Sequence, residues 1–213
     1  MTSTKFLSRL LSLALVGAGL QCTAHADTTF TGNFANDSTT FEYDFTAAAS
    51  STYNFFTTSY GGGMNANGTT TKAGGFVPVL TLFRANGTVI APSVTGGAID
   101  PTTKIADDAF LTQVLGPGSY ILILSEFPNV ALGNLPDGFL FAGQANATSL
   151  VCNGGGTGTF LEADLTPCVQ RTNNYALNVS TAASPSAVPE PATWLLVLPS
   201  AGLFLVLGRK FYA

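Results

Sequence analysis

Residues 39–45 read Thr-Thr-Phe-Glu-Tyr-Asp-Phe, so Phe41, Tyr43 and Phe45 alternate with Thr40, Glu42 and Asp44. A repeat of two belongs to a strand with one packed face and one wet face. Further β-rich runs follow at 52–59, 76–84, 109–115, 119–125 and 175–180, and the 76–84 run is apolar on both faces, as a central strand would be. Pro78 cannot donate to a ladder, which places it at a bulge or a strand start. Asn86-Gly87 predicts a type I′ hairpin turn with positive φ at both residues, after which Val89-Ile90 begins the returning strand. Gly116-Pro117-Gly118 turns the chain into a strand that has Tyr120, Leu122 and Leu124 on one face. Residues 61–75 are rich in Gly, Asn and Thr and are expected to form a mobile loop. Seven or eight short strands with no amphipathic helix between them predict an all-β, antiparallel sandwich or jelly roll.

Both ends of the chain have a different character. Lys5 and Arg9 precede an apolar run over 10–20, and Ala24-His25-Ala26 supplies a small-x-small site, so residues 1–26 are expected to be a signal-peptide helix cut between Ala26 and Asp27. That apolar run is too short to cross about 30 Å of hydrocarbon. Residues 181–188 lack apolar periodicity and read as a flexible spacer behind an extracellular domain at 27–180. Val188-Pro189-Glu190-Pro191 then leads into an apolar stretch over 192–208 and the basic pair Arg209-Lys210. Seventeen helical residues make about 25 Å, near the lower limit for a transmembrane helix. The basic pair predicts a terminus that stays cytoplasmic.

Val188-Pro189-Glu190-Pro191, a Trp-containing apolar segment and a short basic tail together resemble the PEP-CTERM sorting signal, over 189–213. The resemblance implies a Gram-negative bacterium that makes exopolysaccharide and biofilm. It also implies an exosortase-type enzyme that recognises Pro-Glu-Pro and removes the helix, with signal peptidase acting at the other end. The protein would then be anchored transiently in the inner membrane and pass to the cell surface or extracellular matrix. A second resemblance runs through residues 28–130. Phe30-Thr31-Gly32-Asn33-Phe34, the strand at 41–45, Gly74-Gly75-Phe76-Val77-Pro78, Asn86-Gly87 and Gly116-Pro117-Gly118-Ser119-Tyr120 are similar in order to the β-sandwich domains of the pre-peptidase C-terminal type. That resemblance implies a noncatalytic accessory module, some of whose kin bind collagen or sugar with calcium. The chain departs from the pattern at Ala91-Pro92-Ser93, where an Asn-Asp-Asp cluster is expected.

Chemistry is bounded by what the central chain lacks. The only histidine, His25, falls within the signal peptide, which removes Ser-His-Asp catalysis and His-ligated metals from residues 27–188. Those residues hold four bases against eleven acids, a net charge of −7, and no basic cluster to displace counterions from nucleic acid. Glu42, Glu126, Glu162, Asp107 and Asp108 could in principle form a glycosidase pair, but no spacing singles one out, so no catalytic residue is assigned and no enzyme is expected. Asp37, Asp44, Asp100, Asp107 and Asp108 flank predicted turns, and Asp107 and Asp108 are the calcium candidates, without the regular acid spacing of a calcium loop; no other cofactor is expected. Cys152 and Cys168 predict a disulfide across a Gly-rich loop. The function expected is that of an exported, noncatalytic surface or matrix protein associated with exopolysaccharide. The alternatives are a carbohydrate- or calcium-dependent binding module and, last, a carboxylate-based hydrolase.

Overall fold

A computed structural model describes residues 27–182, apart from 154 and 164. The expected signal-peptide helix at 1–26, most of the expected spacer, and the segment at 189–213 expected to carry the sorting signal lie outside the described residues. Among the described residues no helix is long and apolar enough to cross a membrane.

Among the described residues twelve strands form: β1 (Thr28–Asn33), β2 (Phe41–Ala47), β3 (Ser51–Thr57), β4 (Gly63–Met64), β5 (Thr70–Thr71), β6 (Pro78–Arg84), β7 (Val89–Ser93), β8 (Phe110–Leu115), β9 (Gly118–Glu126), β10 (Leu161–Glu162), β11 (Val169–Gln170) and β12 (Asn174–Ala182). Eight of them make two antiparallel four-stranded sheets, in the orders β1-β12-β3-β8 and β2-β9-β6-β7. Alternation sets which side chains face inward: Phe41, Tyr43 and Phe45 from β2 meet Tyr53 and Phe55 from β3, and Tyr120, Leu122 and Leu124 from β9 lie beside Leu80 and Leu82 from β6. Ring pairs cross between the sheets, Phe45 to Phe55 at 5.6 Å and Phe30 to Phe41 at 5.4 Å. The all-β antiparallel sandwich expected from the sequence is therefore present, and β6 lies between β9 and β7 with Pro78 as its first residue.

Three expectations need correction. The 84–87 turn is closed by the Gly87 amide donating to the Arg84 carbonyl, so its central pair is Ala85 and Asn86, neither with positive φ, and Gly87 follows them at +84°. That is a type I turn followed by a left-handed glycine, and β7 pairs with a bulge that skips Ile90. Residues 61–75 form the β4–β5 hairpin. Buried Asn65 holds it: its Oδ1 accepts from Thr58 at 2.5 Å and from Asn178 at 3.2 Å, and its Nδ2 donates to Thr69 and Thr71. Finally β12 continues to Ala182, two residues into the stretch assigned to the spacer.

The two ends of the sandwich differ. The turns at 48–50, 85–88 and 116–117 and the end of β12 lie at one end; the connections 34–40, 58–77, 94–109 and 127–173 lie at the other. The last of these first runs back along β7, where a 3₁₀ turn (Leu135–Asp137) bonds Gly87, and then forms a cap of a short helix α1 (Ala147–Val151), the β10–β11 pair and the disulfide.

Candidate functional site

Five acids, Asp37, Asp100, Asp108, Glu126 and Glu162, are at most 1% exposed, and all sit at the loop-rich end. Among the described residues one base, Arg171, is buried with them. Charge is costly to remove from water unless it is paired or hydrogen-bonded, so the partners of each acid define what this end does.

Arg171 leaves β11 toward the sandwich and occupies the centre of one cluster. Its guanidinium donates to Asp100 Oδ2 at 2.6 Å, to the Gly75 carbonyl and the Tyr60 carbonyl at 3.0 Å each, and lies 4.1 Å from the centre of the Tyr60 ring. Its Nε is 3.7 Å from Glu162 Oε2, and the Tyr60 hydroxyl donates to Glu162 Oε1. Burial, reinforced by that bond to Glu162, raises the Tyr60 phenol well above its ordinary value. Burial also works against the charge of Asp100. Arg171 with the Thr102 and Thr103 amides outweighs it and holds this carboxyl below the usual range.

Asp108 forms a second knot. Its Oδ1 accepts from Thr57 Oγ1 at 2.8 Å and from the Tyr60 amide at 3.0 Å, while Oδ2 accepts from the Gly61 amide at 2.7 Å. Gly61 is required here because a Cβ would stand 2.4 Å from the Ala98 carbonyl oxygen. Burial nevertheless raises the Asp108 carboxyl above its ordinary value.

Asp37 forms the third, receiving the Thr148 amide at 2.8 Å, Thr148 Oγ1 at 2.6 Å and the Phe160 amide at 2.7 Å. It thereby fastens the start of α1 and the approach to β10 onto the sandwich. Phe160 has φ of +57°, an uncommon conformation for a bulky residue. It is held from both sides, by Asp37 at its amide and by the Arg171 amide at its carbonyl. Its ring packs 5.8 Å from Phe76 in the core. The Cys152–Cys168 disulfide closes the same segment, with Cα atoms 6.0 Å apart.

No known protein family matches the sequence, and no curated protein does. Among solved structures the chain is similar to the pre-peptidase C-terminal domain of a collagenase from Bacillus anthracis, at 11% identity and a TM-score of 0.35, over 73% of this chain and 89% of that one.

Asp107 and Asp108 thus separate in role: Asp108 gives both oxygens to protein donors, and Asp107 is half-buried beside it. Among the described residues no three acid, Cys or His side chains converge as metal ligands. Of the hydrolase candidates, Glu42 is exposed on β2, whereas Glu126 and Glu162 are inside. A shallow groove of about 470 Å³ runs beside Asp44, Thr46, Ser119 and Tyr120. The sorting residues Val188, Pro189, Glu190 and Pro191, the basic pair Arg209-Lys210 and the cleavage residues Ala24 and Ala26 lie outside the described residues, and Asp27 is the first described one. Sequence reading named Asp37 and Asp100 as acids flanking turns but not what they bond, and it missed Tyr60 and Arg171. Arg171 carried the one available signal, being the sole base between Lys104 and Arg209.

Proposed function

We propose that this chain is an exported, noncatalytic surface or matrix protein, sorted through its C-terminal segment by an exosortase-type enzyme and retained near extracellular polysaccharide. The observation that carries the reading is the sequence Val188-Pro189-Glu190-Pro191 followed by an apolar stretch and Arg209-Lys210. Two features of the folded part support it. The disulfide suits an oxidising compartment. The buried carboxylates serve as acceptors that fasten loops, which is a structural use of acid rather than a catalytic one. β12 delivers the chain at the short-turn end. A membrane anchor there would hold the loop-rich end and its cap away from the bilayer.

The test is mass spectrometry of the mature termini in a strain that makes an exosortase. The expected product begins at Asp27 and lacks the apolar stretch beyond Pro191. A full-length protein that stays in the cytoplasm contradicts the reading.

A further inference from the structure

Four of the five buried acids meet donors. Asp37, Asp100, Asp108 and Glu162 accept from amides, hydroxyls or Arg171. Glu126 does not. It is the last residue of β9, on the inward side that carries Tyr120, Leu122 and Leu124. Its Oε2 is buried with no hydrogen-bond partner. The turn that Glu126 begins is tied beside Asp37 through Asn129, whose amide donates to the Glu126 carbonyl and whose side chain donates to the Ser38 carbonyl at 3.4 Å. The Asp37 carboxyl is therefore the group placed to bond Glu126.

Two carboxylates in contact and out of water cannot both keep a charge unless a cation lies between them. The buried base, Arg171, is committed to Asp100, Glu162 and two carbonyls. From the other elements that meet the pair the contacts are neutral: Thr148 of α1 and the Phe160 amide on Asp37, and the Asn129 amide on the Glu126 carbonyl. Asp37 is the ionisable group that Glu126 feels. A carboxyl–carboxyl hydrogen bond itself needs a proton, since an ionised carboxylate only accepts.

We propose that Glu126 is a neutral acid that donates its proton to Asp37, and that this acid pair is the latch holding the 127–173 cap on the sandwich. With the proton in place the Asp37 oxygens accept from Glu126 as well as from the Thr148 and Phe160 donors. Without it, two like charges meet beneath the cap and the donors are released. The chemistry is independent of how the protein is sorted.

Burial first, and the neighbouring Asp37 second, push the Glu126 carboxyl up to about 10 from its ordinary value of 4.5. The folded value lies above the unfolded one, so the stability that Glu126 contributes is full below pH 4.5. It declines as pH rises, and is lost once pH passes the folded value. Across that window the folded state holds one proton more than the unfolded state, and the unfolding constant gains a factor of about ten per pH unit.

The experiment compares the full chain with Glu126→Gln, whose amide can donate to Asp37 at every pH. Denaturant unfolding between pH 5.5 and 9 is expected to give a ratio of unfolding constants, wild type over variant, that climbs about tenfold per unit. Infrared spectroscopy at neutral pH is expected to show the carbonyl stretch of a protonated carboxyl, absent from the variant. Hydrogen exchange at pH 10.5 should release the Thr148 and Phe160 amides in the wild type while the variant keeps them. Should the variant not fold, the infrared band and the exchange of the wild type alone decide. A flat ratio with no protonated-carboxyl band overturns the proposal. So does a stability that rises with calcium and falls with chelator, which would put a cation between the two acids.

Discussion

At the short-turn end of the sandwich, connections of two to four residues join neighbouring strands; at the opposite end they run from seven residues to forty-seven. Short turns need little beyond local backbone geometry, which Gly87 supplies at one of them. Long connections carry many amides that must find acceptors once covered, and ordering them costs entropy. Here the acceptors are ionisable side chains, each gathering donors from segments far apart in sequence. Asp37 joins residues 111 and 123 positions away. The apolar core and the polar end therefore draw on different physics, transfer of apolar surface in the one and compensated charge in the other.

The comparison can be broken from the core side first. Phe55→Ala, which removes a ring of 0% exposure from between the sheets, should cost about 3–5 kcal/mol and lower the midpoint of the whole unfolding transition. At the polar end, Arg171→Met removes the cation and leaves Asp100 and Glu162 buried together. A loss of about 3–4 kcal/mol is expected. Its signature in acid differs from that of the core variant. The carboxyl of Asp100 is held below its unfolded value, so its share of stability is present above pH 3.8 and disappears as pH falls through the folded value. Unfolding midpoints measured from pH 6 to pH 2 should fall more steeply in the wild type than in Arg171→Met, and parallel curves would contradict the assigned role of the pair.

Smaller effects separate the two ends further. Cys152→Ser with Cys168→Ser opens a loop of about sixteen residues, and the chain-entropy argument gives a loss of about 3 kcal/mol or less. Because the loop belongs to the cap, faster amide exchange should appear at 147–171 before it appears in β9 or β12. Gly87→Ala, with φ of +84° and the Pro136 ring 3.2 Å from the added Cβ, should cost about 1–2 kcal/mol and loosen the adjoining 134–138 turn while leaving exchange at 147–171 unchanged. Faster exchange at 147–171 would mean that the two ends are coupled, along the 127–173 connection or through the core.

The sandwich was legible because alternation is a local signal. Phe41, Tyr43 and Phe45, and again Tyr120, Leu122 and Leu124, state which face is inward without reference to any partner. Pro78 marked a strand start for the same reason. The Asn86-Gly87 pair named a turn but not its type, which depends on the bulge at Ile90 and so on the register of the whole hairpin. Residues 61–75 looked mobile because polarity and glycine content conceal Asn65, whose partners Thr58 and Asn178 come from β3's end and from β12. The carboxylate knots were hidden for the most general reason. An Asp on a surface and an Asp beneath a cap have the same sequence neighbourhood, and only the fold brings Thr148 to Asp37 or Arg171 to Asp100.

The most direct test of two differently built regions is native-state hydrogen exchange, read residue by residue at rising denaturant, since it reports the opening free energy of each segment separately. The expected result is two classes: the amides of Thr148, Phe160 and Leu161 open at a lower free energy than those of Leu122 and Leu177, and their class alone shifts between pH 5.5 and 9. A single class, with cap and core opening together at every pH, would contradict the account.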